Sequence, residues 1–552
     1  MLSQRLLLAL LSFLVPASAL WPLPRQISTG NSTLKLARNF DINISLRNAP
    51  KDLQDAVSRT KGRLQSDKLE RLVVGRGGAD AQAVRGGRAT LSGLTLSLLA
   101  GAPVRSISEE AVVDVVSRSE GYVLHVPSDG SAAVLRANST LGLLRGLSTF
   151  EQLWYDSDGT TYALGAPIDI TDSPAYVRVV IHSPSINLII FPLSDIKRTL
   201  DAMSWVKINT FHWHVVDSQS FPLVVPGFKE LSDKGAYSPT SVYTPSDVKD
   251  IISYAAARGI DVIAEIDTPG HTSVISKSHP EHIACPEATP WGSFANAPPA
   301  GQLRLASPGT IDFTTKLIKA ASKMFSSKFF SIGGDEINTN CYNNDAQTQT
   351  DLAGRTFEEA LDTFTQATTG ALKENGKVPV VWEEMVLEHN VTLPKETVVM
   401  VWISSEHVAA VAQKGFRLVH AASDFFYLDC GGGGWVGDFA SGNSWCDPFK
   451  TWQKSYSFDP TASLTAEQAN LVLGGQHLLW TEQSGPENLD PVVWPRAASS
   501  AELFWTGPGQ DAGAALPRLH DVAYRMRKRG VNAIALQPQW CALRPGACDL
   551  TA

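Results

Sequence analysis

From about Ile168 the sequence becomes a regular alternation of short apolar, β-branched runs and longer stretches of helical periodicity, and the alternation repeats eight times. The runs are Val177–Ile181, Ile208–Val215, Asp261–Ile266, Phe329–Ile332, Val378–Trp382, Val398–Ile403, Arg417–Ala421 and Val472–Trp480. Helical patterns lie between them at Ser194–Val206, Ser246–Arg258, Thr310–Phe325, Thr356–Asn375 and Glu406–Lys414. Two more, Trp494–Trp505 and Leu516–Arg529, follow the last run and would close a ring. Strands alternating with helices build a parallel sheet. Eight repeats predict a (β/α)8 TIM barrel over residues 168–552, with an open doubly wound sheet as the alternative that counting leaves open.

The segment ahead of the barrel reads differently. Arg5, the apolar run Leu6–Val15 and Ala17-Ser18-Ala19 have the form of a secretory signal peptide of residues 1–19. No later stretch reaches about 18 uninterrupted apolar residues, so no membrane span is expected. Residues 20–167 predict a small α+β domain, with strands Thr95–Leu99, Tyr122–Val126 and Ala132–Ala137 and a helix capped by Thr140. Gly75–Gly87 reads as a flexible loop, and no ionisable cluster in this domain points to chemistry. Asn31, Asn43, Asn138 and Asn390 open Asn-x-Ser/Thr sequons, which fits a secreted (extracellular) or vacuolar or lysosomal glycoprotein. The net charge of −8 is spread without long runs, so neither nucleic acid nor an anionic membrane is an expected partner. Cys285, Cys341, Cys430, Cys446, Cys541 and Cys548 are even in number and without a C-x-x-C. Sequential pairing is the simplest of many possible disulfide patterns, and the sequence does not choose among them.

A barrel places its chemistry at the C-terminal ends of its strands. There the sequence carries His212-Trp213-His214-Val215-Val216-Asp217, Glu265-Ile266-Asp267-Thr268-Pro269-Gly270-His271, Gly333-Gly334-Asp335-Glu336, Trp382-Glu383-Glu384, Trp402, Tyr427 with Asp429, and Trp480-Thr481-Glu482. The recurrent theme is carboxylate plus tryptophan. Carboxylates among aromatic faces suit a sugar, whose apolar face stacks on an indole while its hydroxyls donate to Asp and Glu. His212 and His214 have the spacing of two metal ligands on one strand face; hydrogen bonding to a neighbouring carboxylate is the commoner use of such histidines, and no metal is assigned.

Taken together these runs resemble glycoside hydrolase family 20, the β-N-acetylhexosaminidases. The resemblance is carried by Ser331-Ile332-Gly333-Gly334-Asp335-Glu336, Phe211–Asp217, Ile266–His271, Val381–Glu384, Tyr427–Cys430 and Leu479–Glu482, in that family's order. Leu141–Phe150 is similar to the end of its N-terminal domain. The resemblance implies a retaining exo-hydrolase in which the substrate's own 2-acetamido oxygen is the nucleophile, with no cofactor. It implies Glu336 as general acid and base, Asp335 as acceptor of the acetamido N–H, and Tyr427 as donor to the acetamido oxygen. Trp382, Trp402 and Trp480 would wall the pocket; Arg178, Asp429 and Glu482 would bind the sugar hydroxyls; Asp217 and His271 would support Glu336. The implied partners are N-acetylhexosamine-containing oligosaccharides, and the implied assembly is a homodimer.

The sequence departs from the family at the first strand, where Arg178 is kept but Val179, Ser183 and Ile186 stand in place of a glycine, an aspartate and a second arginine. That departure puts the pocket geometry on this side in question. A carbohydrate-binding protein with a degenerate hydrolase fold is therefore the main alternative function. An endo-chitinase is a third, but its Asp-x-x-Asp-x-Asp-x-Glu pattern is absent.

Overall fold

In the computed structural model, the described residues are 19–87, 89–183, 191–437, 440 and 442–552, with the side chains of 115 and 178–183 left aside. The expected signal peptide lies outside them, save Ala19.

Eight parallel strands close into a barrel: Arg178–Ser183, Thr210–Val216, Asp261–Ile266, Phe329–Ser331, Val378–Trp382, Val398–Val401, Arg417–His420 and Val472–His477. The ring is sealed by the eighth strand pairing with the first, Gly474 to Arg178 through His477 to Ile181. Every expected run falls on one of these strands, because strands buried on both faces are near-continuous apolar sequence. Val380, Val381, Val399, Leu418 and Ile263 are all buried. The surrounding helices fall near the expected positions, and two of them begin at capping boxes. Thr244 and Thr356 each form a capping box, with Asp247 and Glu359 respectively, so Pro245–Ala256 and Phe357–Glu374 start where the sequence reading placed helices.

The N-terminal domain is a six-stranded sheet in the order Gln26–Ile44, Thr90–Leu98, Ala133–Ala137, Tyr122–Val126, Thr160–Asp172, Tyr155–Ser157. The helices Lys51–Ser66 and Thr140–Gln152 pack on it. Three details differ from the sequence reading. Ser139, not Thr140, caps the second of these helices by accepting from the Gly142 N–H. Gly75–Gly87 begins with irregular turns, with Gly75, Arg76 and Gly77 at positive φ, and then forms the short helix Ala81–Gly86 where a loop was expected. The long strands Gln26–Ile44 and Thr160–Asp172, the second passing residue 167, have no counterpart among the expected elements.

Ionisable groups of this domain pair with the barrel along the seam between them. Lys207 Nζ, fully buried, is 2.7 Å from Asp172 Oδ2 and 2.9 Å from the Tyr122 hydroxyl, and the Trp505 indole N–H donates to Asp172 at 3.0 Å. Arg145 donates to Glu120 at 2.7 Å and to the Gly259 carbonyl at 2.8 Å. Lys207 and Asn209 lie just before the second barrel strand, so this seam is at the barrel's N-terminal end, opposite the strand ends that carry the carboxylates. The structure forms the three sequential disulfides, Cys285–Cys341, Cys430–Cys446 and Cys541–Cys548. Asn31, Asn43, Asn138 and Asn390 are all exposed.

Candidate active site

The fourth strand stops at Ser331, and Gly333, Gly334 and Glu336 then take positive φ of 65°, 99° and 53°. A Cβ on Gly333 would stand 1.8 Å from Asp267 Oδ1, and one on Gly334 would strike the Met385 side chain, so both positions require glycine. This tight turn sets Asp335 and Glu336 side by side at the mouth. The Gly334 N–H donates to Asp267 Oδ1 at 2.8 Å, pinning the turn to the end of the third strand.

Behind Glu336 runs a chain of alternating charge. His271 places Nε2 3.4 Å from Glu336 Oε2 and 3.8 Å from Asp335 Oδ2, while its Nδ1 is 2.8 Å from Asp217 Oδ1. His214 lies 3.6 Å from Asp217 through Nε2 and hydrogen-bonds the buried Glu265 through Nδ1. His212 Nε2 is 3.1 Å from Glu265 and the Ser331 hydroxyl also donates to it. Of the two strand-end histidines, His214 hydrogen-bonds a carboxylate, whereas His212 only approaches the same one and meets Gln476 Oε1 through Nδ1 at 3.3 Å. Burial alone would raise Glu265, but His212 and His214 outweigh it and hold the carboxyl well below its usual range. Burial likewise opposes the charge on His271, and the neighbouring Asp217 and Glu336 overcome it and raise the imidazole well above its usual value. Asp217 is lowered by His271 and His214 against its own burial.

The other carboxyls are driven the opposite way. Burial raises both members of the adjacent pair Asp267 and Asp335; Asp335 adds to the rise at Asp267, while the hydrogen bond from Asp267 opposes it at Asp335, so Asp267 holds its proton the more firmly. Burial raises Glu384 to about 9, with Asp335 adding to the effect, and the Trp402 indole N–H donates to it at 2.9 Å. Glu383 accepts from the Trp402 and Ile403 N–H groups and lies 3.0 Å from His407 Nδ1. The two glutamates after the fifth strand therefore fix the end of the sixth.

The aromatic wall is continuous. Trp402 stacks on Tyr427 at 6.4 Å, Tyr427 tilts against Trp480 at 6.3 Å, and Trp480 lies 6.3 Å from Trp382. Trp445, in the loop closed by Cys430–Cys446, stands edge-on to both Trp402 and Tyr427 at 5.7 Å. Burial keeps Tyr427 a neutral hydroxyl, well above its usual pKa, and among the charges it feels are Asp335 and Glu336. Asp429 accepts from the Trp480 N–H at 3.2 Å, and burial raises it to about 6. Glu482 is raised to about 8 by burial, with Asp429, Asp217 and Glu336 adding to it.

The structure therefore gathers Asp335, Glu336, Tyr427, Trp382, Trp402, Asp429, Trp480, Glu482, Asp217 and His271 at one mouth. Arg178 opens the first strand, but its side chain and those of Val179 and Ser183, with all of Ile186, lie outside the described residues. Sequence reasoning assigned no role to Glu265, Asp267, Glu383, Glu384 or Trp445. The first four stand within the quoted strand-end runs, but their partners are distant in sequence; Trp445 stands in a loop with no periodic signal.

These protonation states set the pH dependence of stability. Asp429, Glu482 and Glu384 have folded pKa values above their unfolded ones, so their contribution is full below about pH 4 and is lost as pH rises through about 6, 8 and 9. His214, raised to about 9 by Glu265 and Asp217 against its burial, loses its contribution between its ordinary 6.5 and that value. Glu265 and Asp217 are depressed, so their contribution is present above their ordinary values of 4.5 and 3.8 and is lost on acidification. The ligand-free protein is expected to melt highest near about pH 5 and progressively lower towards about pH 9. A melting-temperature series across that range checks this; a maximum on the alkaline side of neutrality contradicts it.

A (β/α)8 barrel whose mouth joins a buffered carboxyl pair to a wall of indoles and a tyrosine is the site of a glycoside hydrolase. The family description "Glycosyl hydrolase family 20, catalytic domain" matches residues 190–508, and "beta-acetyl hexosaminidase like" matches residues 20–153. The chain belongs to glycosyl hydrolase family 20. A beta-hexosaminidase of Arthroderma benhamiae is 33% identical over 468 residues, covering 79% of this chain and 75% of that protein. A chitooligosaccharidolytic beta-N-acetylglucosaminidase of Bombyx mori is 33% identical over 553 residues, covering 96% and 89%. The family 20 exo beta-N-acetylglucosaminidase of Vibrio harveyi, solved with N-acetylglucosamine, shares the fold with a TM-score of 0.74 at 22% identity, covering 94% of this chain and 78% of that one.

Proposed function

We propose that the protein is an exo-acting β-N-acetylhexosaminidase, removing terminal non-reducing β-linked GlcNAc or GalNAc from chitin oligosaccharides or glycan ends. The observation that carries the reading is the Asp335–Glu336 turn, backed by His271 and Asp217 and facing Tyr427 inside a tryptophan wall. A sugar stacked on that wall presents its acetamido group to Asp335 and Tyr427. Asp335 accepts the N–H and Tyr427 donates to the carbonyl oxygen, holding that oxygen beneath the anomeric carbon. The oxygen forms a bond to the anomeric carbon as the glycosidic bond breaks, and Glu336 gives its proton to the departing oxygen. Asp335 then faces the positive charge of the oxazolinium ring, with the hydrogen bond from Asp267 favouring its ionised form. Glu336, now anionic, takes a proton from water, which adds to the anomeric carbon and reopens the ring, with net retention.

The reading extends to a secreted glycoprotein. No described helix is long and apolar enough to cross a membrane. The test is a time course with chitobiose and chitotetraose, followed by chromatography and by NMR of the anomeric proton. Monomer released from the first turnovers as the β-anomer is the expected result. Shortened oligosaccharide without monomer would mean endo action, and no product after long incubation would favour a binding protein.

A further inference from the structure

Away from the catalytic mouth, the loop that follows His271 carries His279-Pro280-Glu281-His282 as a 3₁₀ turn. We propose that His279, Glu281 and His282 form a site for a divalent transition-metal ion such as Zn²⁺, although the sequence alone calls for no metal in this chain. Their three ligand atoms lie within 4.8 Å of one another. His279 Nδ1 is 3.3 Å and His282 Nε2 is 3.8 Å from the same Glu281 oxygen. Tetrahedral zinc with bonds of about 2.0–2.1 Å separates its ligand atoms by about 3.3 Å, so the cation fits among these three with little movement.

The outer face of each ring strengthens the assignment. His279 turns its other nitrogen, Nε2, to Glu230 at 3.3 Å, and His282 turns its Nδ1 to the Thr310 hydroxyl at 3.1 Å. Metal-binding histidines characteristically give their second N–H to such an oxygen, which fixes the tautomer and leaves the inner nitrogen's lone pair for the ion. Both rings also pack on Phe313, at 4.9 and 4.4 Å, so their orientation is set before any ion arrives. Glu281 is 61% exposed, which leaves the remaining coordination positions to water. An ion here would tie the 3₁₀ turn to helices Lys229–Gly235 and Pro308–Ser322 through Glu230 and Thr310, between His271 and the Cys285–Cys341 disulfide.

The competing arrangement is a metal-free set of contacts in which His279 bridges Glu230 and Glu281. The test uses the full chain stripped with a chelator, then titrated with Zn²⁺ against a chromophoric competitor, in parallel with Glu281→Gln and His282→Gln. Glu281 is exposed, so Glu281→Gln is expected to fold and to hydrolyse an aryl N-acetylglucosaminide as the parent does in metal-free buffer. The parent is expected to bind one equivalent of Zn²⁺ that each variant binds at least about tenfold more weakly, and only the parent's melting temperature is expected to rise with that equivalent. Zinc held at the catalytic carboxylates would be retained by both variants. Equal stoichiometry and affinity in all three proteins, or no zinc bound by the parent, overturns the proposal. Neither result bears on the hydrolase reading, which is scored by monomer release in the absence of metal.

Discussion

Replacing Glu336 with glutamine is expected to leave the fold intact and to lower kcat/KM for chitobiose by about 10²–10⁴-fold. Glutamine keeps the size of the side chain and a polar contact for His271, now 3.4 Å from the carboxylate, but carries no transferable proton. The loss should be larger for chitobiose than for a nitrophenyl N-acetylglucosaminide, because a phenolate departs without being protonated whereas a sugar alkoxide does not. That contrast distinguishes loss of the acid from general damage to the pocket, which would depress both substrates alike. Steady-state kinetics on the two substrates measures it. Full activity of Glu336→Gln on chitobiose would remove Glu336 from the mechanism.

The second large effect is on stability. Lys207→Met is expected to destabilise the protein by about 3–5 kcal/mol, the cost of stranding one member of a buried ion pair. Asp172 would then keep only neutral donors, the Tyr122 hydroxyl, the Trp505 indole and the Arg25 backbone N–H, with no cation, in a seam where its side chain and that of Lys207 are wholly inaccessible. The double variant Lys207→Met with Asp172→Asn is expected to regain part of the loss, because the uncompensated charge is gone. Denaturant unfolding of parent, single and double variants gives the comparison. Since the seam lies at the opposite end of the barrel from Glu336, the folded fraction of Lys207→Met should keep the parent KM. A single variant as stable as the parent would mean that the pair contributes nothing to holding the two domains together.

The two predictions concern groups that the sequence reveals to different degrees. Glu336 was legible because it sits in Gly333-Gly334-Asp335-Glu336, a local run whose glycines are required by the turn itself. Lys207 was not, because nothing in Trp205-Val206-Lys207-Ile208 separates a surface lysine from one whose anion comes from the end of another domain's strand. The carboxylates divide in the same way. Asp335 and Asp429 were found from their places at strand ends, whereas the proton on Asp267 and the neutrality of Glu384 depend on neighbours far along the chain and on burial. Trp445 enters the aromatic wall only because the Cys430–Cys446 loop returns it to Trp402 and Tyr427.

The N-terminal domain shows the limit for secondary structure. Gln26–Ile44 is the longest strand described, yet most of its residues are partly or wholly exposed and it is rich in Ser, Thr and Asn, so its apolar alternation is weak. Its identity as a strand comes from pairing with Thr90–Leu98 on one side and Thr160–Asp172 on the other. The barrel strands needed less help, since most are short, largely buried runs rich in Val, Ile and aromatic residues. The sequence by itself determined the eightfold alternation, the glycine turn and the residue types at the strand ends, because each is a short-range pattern. Closure of the ring, the sorting of carboxyls into charged and neutral, and the ionic seam beneath the barrel were decided only by the tertiary structure. Burial and long-range partners set those properties, and neither is written at any single position in the chain.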